Sequence, residues 1–467
     1  MNIDSAFLDG VATAALAAFQ APGLSLAVLT PNQILSRVYG VADLTTGEPL
    51  TTETAFPLAS PTKSFTALAL ALLHQQGAFA WDQPVASLVP HLCDTRQEHL
   101  RPLTCHHLLS HQSAFGWHDP LWYNSPWDRA TIIRKAWQAG PEREPGPPFQ
   151  YSNLPYILAG EIVAHLAGMP YERFIHQRIL APLGLNSAHF AAEPAARLAA
   201  SHMILPTGVE RISTPDASKA NAACGLRITA SDLARWMAAF CRPEHTSLPP
   251  RAFQTLLEPR TAIGPLEGKR FYTLFGQPDW LKYGYGWFLR RFRGYRVVFH
   301  TGRLPGAATH LAFLPELHLG IAALTNATFA CLAETIVMAV LERFAGGPQT
   351  NWVSYFQDVS QELTTAATAP PVAAAAATPA PDFATLAGDY HDPVYGLLQV
   401  CFRNHRLTFS WANYQGDLLP LSATLFSLRN LRCPFLLDAA TVEFDPHPPG
   451  AALFASRRFQ RLSCSAE

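Results

Sequence analysis

The sequence predicts an α/β (α+β) fold: a mixed antiparallel sheet flanked by helices with a large helical insertion, then a small C-terminal antiparallel β-barrel. Three observations predict it. Strand-like runs stand at both ends of residues 1–362, with helical runs between them. Residues 364–381 contain only Thr, Ala, Pro and Val, a stretch with nothing large to bury and prolines that favour an extended spacer. Beyond it, residues 382–467 break into short β-rich runs separated by Gly, Asn, Asp and Pro. The expected organisation is therefore one domain over 1–362, a linker over 363–381 and a barrel over 382–467.

Residues 4–20 carry a helical apolar pattern, followed by strands at Leu24–Leu29 and Ile34–Tyr39. Pro61 opens an apolar run through Phe65–Leu73 that Gly77 closes, the usual punctuation of a helix. Apolar residues all round make this helix central rather than amphipathic. A second such unit runs from Pro155 to Gly168. Tyr295–His300, His310–Leu314 and Leu319–Leu324 read as strands, and Ala333–Phe344 as a helix. The barrel strands are expected at Leu397–Phe402, Leu407–Trp411, Phe426–Leu428, Thr441–Phe444 and Leu453–Phe459.

The 467 residues suit two or three domains. Lys and Arg total 34 against 35 Asp and Glu, so no net charge draws the chain to nucleic acid or an anionic membrane. Charged residues are 15% and apolar residues 49%, which predicts a large core and excludes a disordered polyelectrolyte. The eight cysteines are widely spread with no C-x-x-C, and read as buried small hydrophobes in a reducing compartment. No basic n-region precedes the first apolar stretch and no run is long enough to span a bilayer, so a cytoplasmic location is expected.

Chemistry concentrates in three places. Ser60-Pro61-Thr62-Lys63 opens the central helix, with Ser60 and Lys63 one turn apart on one face. A serine hydroxyl needs a base within reach, and a helix N-terminus offers N–H groups to a developing oxyanion. With 24 Ser and five Lys, about a quarter of one such pair arises by chance, so spacing alone is weak. A lysine opening a buried helix is harder to dismiss, because an unpaired buried charge is costly. Tyr151-Ser152-Asn153 precedes the second helix, where Asn also suits a plain N-cap. A phenol beside an ammonium ionises more readily and serves as a base. His300-Thr301-Gly302 ends a strand, where a small residue lets a substrate approach the backbone. His106, His107 and His111 lack an H-E-x-x-H glutamate, so packing outweighs a metal site. Trp122, Tyr123 and Trp127 are candidates either to line an acyl pocket or to pack the insertion.

S-x-x-K, then Y-S-N about 90 residues on and H-T-G about 150 further, resembles the ordered signature of the serine β-lactamase/penicillin-binding-protein superfamily. Phe56–Thr66, Leu108–Ser113, Tyr151–Gly160, Ala181–Leu185, Gly225–Arg227, Tyr283–Trp287 and Leu324–Asn326 resemble its class C β-lactamase-related branch, over about residues 10–345. Leu386–Tyr390 with Tyr395-Gly396 resembles the lipocalin-like barrel appended to some members. The resemblance implies Ser60 as acylated nucleophile, Lys63 as its proton partner and Tyr151 as general base. It implies Asn153 orienting Lys63 and the substrate's acyl side, and the N–H groups of Ser60 and Arg303 as oxyanion hole. His300, Thr301, Gly302 and Arg303 would bind substrate, with no cofactor and no metal.

The departures shape the expected substrate. His300 stands where β-lactamases and transpeptidases usually carry lysine, and a histidine is largely neutral at pH 7. This favours small esters or amides without a carboxylate at that point, an esterase first, although Arg303 is a candidate to restore the cation. Ala114, Pro155 and Cys224 replace frequent glycines. A D-stereospecific aminopeptidase or amidase, a weak β-lactamase and an acyltransferase are the alternatives on the same site. A non-catalytic scaffold or ligand-binding protein is the alternative of another class. The barrel is expected to mediate self-association or to cap the site.

Overall fold

The structure, a computed structural model, describes residues 4–462 except 95, 101, 117, 191–196, 206, 265–280, 329–330, 348, 369–382, 423, 430–440, 446–449 and 455–456. Its contacts gather into two units, Met1–Phe115 with Pro141–Glu362, and Gly116–Gly140 with Leu363–Glu467. The stretch 116–140, expected inside the first domain, thus packs with the C-terminal part of the chain.

The strands of the first unit are β1 (Gly23–Leu29), β2 (Ile34–Asp43), β3 (Glu48–Pro49), β4 (Phe56–Pro57), β5 (His189–Phe190), β6 (Ser201–Leu205), β7 (Gly208–Ile212), β8 (Leu226–Ile228), β9 (Thr261–Ala262), β10 (Lys282–Tyr283), β11 (Phe288–Phe292), β12 (Tyr295–Leu304), β13 (Ala307–Leu314), β14 (Leu319–Thr325) and β15 (Ala327–Thr328). Nine of them form one sheet in the order β3-β2-β1-β14-β13-β12-β11-β10-β9. N-terminal and C-terminal strands therefore meet at β1 and β14, paired antiparallel from Leu24↔Thr325 to Leu29↔Gly320. The helical insertion lies between them in sequence. Strands β1, β13 and β14 are buried at every position because helices cover both faces, which is why they read as unbroken apolar runs.

Helix Thr62–Gln75 is buried at every position from Thr62 to Leu73. It packs on helices Leu154–Ala167, Asn221–Cys224 and Pro250–Leu256. Phe65 stacks on Trp236 of helix Ala230–Cys241 at 3.9 Å, and Trp236 Nε1 donates to Ser64 Oγ at 3.2 Å. Strand β12 runs four residues past the expected end at His300, because Thr301–Leu304 pair with Ala307–His310. Helix Trp352–Thr368 is a further addition and takes the first residues of the expected linker. The rest of that linker, from 369, lies outside the described residues. Among the described residues no helix is long and apolar enough to cross a membrane.

In the second unit eight strands close into a barrel. They are β16 (Gly388–Asp392), β17 (Gly396–Arg403), β18 (Arg406–Trp411), β19 (Tyr414–Pro420), β20 (Leu425–Arg429), β21 (Thr441–Phe444), β22 (Ala451–Phe454) and β23 (Arg457–Arg461). The run expected as one strand at Leu453–Phe459 is divided between β22 and β23, and β16 and β19 were not anticipated. Alternate residues such as Tyr390, Leu398, Val400, Phe409, Phe426 and Phe459 are buried, so side chains fill the interior. The 116–140 stretch packs within this unit. His118 Nδ1 and Tyr395 Oη lie 2.6 Å apart, Lys135 Nζ donates to Val394 O at 2.5 Å, and Trp127 meets Trp411 at 5.7 Å. Tyr414 Oη donates to Tyr123 O, and Trp122 Nε1 to Asp119 Oδ1 at 2.7 Å. Trp122, Tyr123 and Trp127 thus pack within this unit.

Asp392 anchors the turn that carries Tyr395. Its Oδ1 accepts from the N–H groups of Val394 and Tyr395 at 2.8 and 2.7 Å, and its Oδ2 accepts from Arg457 Nη2 at 2.9 Å. Asp392→Ala is expected to destabilise this unit by about 3–5 kcal/mol, since it strips the partner from a half-buried guanidinium. Denaturant unfolding followed by tryptophan fluorescence reads the loss.

Candidate active site

The site begins at a turn held from both sides. Strand β4 pairs with β8, Pro57 opposite Arg227, and Leu58 N donates to Leu226 O at 2.8 Å. Thr309 Oγ1 of β13 donates to Leu58 O at 2.8 Å. Ala59 then takes a left-handed backbone with φ of 58°, which costs an alanine about 1–2 kcal/mol. The chain turns there into its helix, with Thr62 N donating to Ala59 O and Lys63 N to Ser60 O. Pro61 holds the cap position without a side-chain cap bond, so the Ser60 hydroxyl is not spent on capping. Ser60 is partly exposed, and Lys63 is fully buried.

The Lys63 ammonium joins three segments. Its Nζ donates to Ser60 Oγ at 3.1 Å, to Asn153 Oδ1 at 2.7 Å and to Ala223 O at 3.1 Å. It lies 4.9 Å from the Tyr151 ring centroid and 5.6 Å from that of Tyr156. Asn153 occupies the cap position of helix Leu154–Ala167, yet makes no side-chain cap bond and turns its oxygen to Lys63. Its cap geometry and its contact with Lys63 therefore separate the two readings of Tyr151-Ser152-Asn153.

The third segment is the free end of a strand edge. Strand β11 pairs with β12 only as far as Phe288↔Phe299, so His300–Leu304 keep one edge open among the described residues. Gly302 is there because of close approach. A Cβ on it would lie 2.5 Å from Leu58 O and 2.7 Å from Pro61 Cδ, so any side chain would push β12 away from Ser60. Gly286, with φ of 74°, presses on the helix start: its Cβ would lie 2.7 Å from Ser64 Cα and 2.9 Å from Lys63 C.

His300 is buried and neutral. Burial and then the Lys63 charge push its pKa down to about 3, against a hydrogen bond to Thr301 O. Its Nδ1–H donates to Thr301 O at 2.7 Å, which leaves Nε2 to accept from Tyr283 Oη at 3.2 Å. Arg303 does not restore the cation that this position lacks. Successive strand residues point to opposite faces, and Arg303 Nη2 donates to Glu334 Oε1 of helix Leu332–Ala345 at 3.0 Å. Thr301 stays half-buried on the open edge.

Several neighbours carried no sequence signal for this site. Ala223 contributes only a carbonyl, which any residue type supplies. His111, a weak metal candidate, lies instead among aromatic rings, 4.3 Å from Tyr151 and 4.9 Å from Tyr283. It accepts from Ser152 N at 3.3 Å, and burial, then the Lys63 charge, hold its pKa well below the ordinary value. His106 pairs with Tyr285 Oη at 2.8 Å and His107 with Thr104 Oγ1 at 2.9 Å. Ala114, in place of a frequent glycine, takes φ of 59°.

Residues 8–334 match the Beta-lactamase family, and the chain belongs to it. It is 24% identical over 438 residues to "Unguisins hydrolase ungD'" of Aspergillus campestris, spanning 86% of this chain and 78% of that protein. It is 23% identical to "Unguisins hydrolase ungD" of Aspergillus violaceofuscus, where it spans 68% of this chain and only 60% of the relative's length. The octameric penicillin-binding protein homologue from Pyrococcus abyssi superposes with a TM-score of 0.66 at 22% identity, over 98% of this chain and all of that one. D-amino acid amidase from Ochrobactrum anthropi superposes with a TM-score of 0.60 at 22% identity, over 73% of this chain and all of that one. At these identities the structural likeness shows the fold. The chain is thus a member of the Beta-lactamase family with that family's fold.

Two predictions follow from the packing. Gly286→Ala is expected to cost about 2–4 kcal/mol, from its left-handed φ and from contact with backbone that has no room to give; the denaturation midpoint reads it. The second concerns pH. The His300 pKa is lowered to about 3, and those of His106 and His118 to about 4, each below the unfolded value of 6.5. Between pH 6.5 and 5 the unfolded chain takes up protons that the folded chain refuses, so stability falls as pH falls. Denaturant midpoints at pH 7, 6 and 5 should decline, with a shallower decline for His300→Gln.

Proposed function

We propose that the chain hydrolyses small esters or amides through an acyl-Ser60 intermediate, esters being the better substrates. The observation that carries this reading is the three-way contact of Lys63 Nζ with Ser60, Asn153 and Ala223. An ammonium has no lone pair for the serine proton, and here its three N–H groups are all donated. Tyr151, acting as a phenolate beside that ammonium, takes the proton as Ser60 Oγ attacks the carbonyl carbon. The N–H groups of Ser60 and Arg303 receive the oxyanion. Tyr151 then gives the proton to the departing alcohol or amine; water, deprotonated in turn by Tyr151, attacks the acyl ester, and Tyr151 passes that proton to Ser60 Oγ as the acid leaves.

Neutral His300 and the engaged Arg303 support substrates without a carboxylate beside the third segment. The same uncharged surround tolerates an amino-acid amide, so amide hydrolysis of the kind named for the Ochrobactrum neighbour is the second reading. Self-association belongs to the same proposal, in line with the octameric neighbour.

A fluorophosphonate probe is expected to label the wild type and to leave Ser60→Ala unlabelled; equal labelling removes Ser60 from the mechanism. Tyr151→Phe is expected to lower turnover by about 10²–10⁴, as for a lost general base. Across 4-nitrophenyl butyrate, D-alanine 4-nitroanilide and nitrocefin, the butyrate should turn over fastest. A dominant nitroanilide would instead establish the amidase reading.

A further inference from the structure

The oxygen that Lys63 takes from Ala223 is itself held in place. Ala223 lies on the four-residue helix Asn221–Cys224, far in sequence from the lysine it serves. A helix so short is not stable by its own backbone bonds, so its position comes from what grips it. Helix Thr62–Gln75 grips it from one side at three points. Thr66 Oγ1 donates to Ala222 O at 2.6 Å, Lys63 Nζ donates to Ala223 O at 3.1 Å, and Thr62 Oγ1 accepts from Leu226 N at 3.4 Å. Thr62 and Thr66 are one turn apart, as are Lys63 and Thr66. Ala223 therefore sits between two hydroxyl anchors, and the nearer one holds the adjoining peptide.

The Thr66 hydroxyl has a single proton and a carbonyl only accepts, so that proton lies toward Ala222 O. Tyr171 Oη, 2.7 Å from Thr66 Oγ1, then supplies the proton of the second bond. The order of donation is fixed: Tyr171 to Thr66, and Thr66 to Ala222 O. Thr66 and Tyr171 are 0% and 1% exposed, where a hydrogen bond is stronger than in water and solvent does not replace a lost one. Tyr171 opens helix Tyr171–Ile175, and its neighbour Glu172 accepts from Asn221 Nδ2 through Oε1 at 2.6 Å. The short helix is thus tied to Tyr171–Ile175 by its first side chain, and to Thr62–Gln75 by its second and third carbonyls.

We propose that Thr66, with Tyr171 ordering its proton, is a positioning residue for the reaction: it holds the Ala223 carbonyl where Lys63 finds its third acceptor. Once that carbonyl is released, an ammonium N–H turns toward Ser60 Oγ or Tyr151, and nucleophile and base lose their fixed places. The catalytic consequence rests on the acyl-Ser60 reading, while the placement of the carbonyl does not.

Thr66→Val keeps the shape and removes the hydroxyl, Thr66→Ser keeps the hydroxyl, and Tyr171→Phe removes only the ordering donor. For 4-nitrophenyl butyrate, kcat is expected to fall about 10- to 100-fold in Thr66→Val, as for a misplacement of about 1 Å, with KM within about threefold of wild type. Thr66→Ser should recover kcat to within about threefold of wild type, and Tyr171→Phe should lie between. The second-order rate of fluorophosphonate labelling should follow the same order. An unchanged kcat in Thr66→Val or a loss carried by KM alone overturns the inference. So does Thr66→Ser as slow as Thr66→Val, because the methyl group would then be what matters. Should circular dichroism show that Thr66→Val does not fold, Tyr171→Phe decides: kcat lowered at least about threefold supports the role, and an unchanged kcat overturns it.

A crystal structure of Thr66→Val, or of Tyr171→Phe in its place, is independent of turnover. Lys63 Nζ is expected to lie more than about 3.5 Å from Ala223 O there. An Ala223 O that stays within hydrogen-bond distance overturns the positioning role whether or not Ser60 is the nucleophile. A displaced Ala223 O in a protein whose wild type takes no label at Ser60 overturns the acyl-serine reading alone.

Discussion

The Lys63 ammonium is the constraint on which the site depends. It sits at the start of a helix buried on every side, where an uncompensated charge would cost several kcal/mol. Three oxygens compensate it, one from its own turn and two from distant segments, and each has to be placed correctly for the helix to be tolerated at all. The cost of burying one charge is thereby turned into a positional requirement on Ser60, Asn153 and Ala223. Gly302 and Gly286 show the same requirement from the outside, since the strand and loop that carry them approach the helix start too closely for any side chain.

The buried titratable side chains described beside Lys63 are held neutral. His111 and His300 are buried beside it, and its field together with desolvation keeps both neutral. Tyr156 and Tyr283 are buried as well, their hydroxyls held in the protonated form. Among these neutral dipoles, the Lys63 ammonium is a strong counterpart for charge appearing on a reacting oxygen.

Most of the sheet could be read from the sequence because β1, β13 and β14 are covered on both faces and so are apolar throughout. Strands β16 and β19 escaped because their buried apolar positions are too few to form a pattern. Ser60, Lys63 and Asn153 were legible through an energetic anomaly, a lysine in an apolar helix, reinforced by the order of the three segments. Arg303 was not, because at the end of a strand the choice between the site and the helix behind it is made by Glu334, far away in sequence. For Trp122, Tyr123 and Trp127 two placements, pocket or packing, stayed open in the sequence. An aromatic cluster declares that it will be buried, but not against which surface.

The stretch 116–140 has a consequence for synthesis. It leaves the ribosome more than 300 residues ahead of the last barrel strand, yet Trp122, Tyr123 and Trp127 belong to the unit that those strands complete. At about 5–20 residues per second, an aromatic loop projects from the nascent chain without its cover for roughly 15–65 s. During that interval it is a binding site for chaperones and a nucleus for aggregation. The final hundred residues therefore act, in time, as the cover of a segment made long before them.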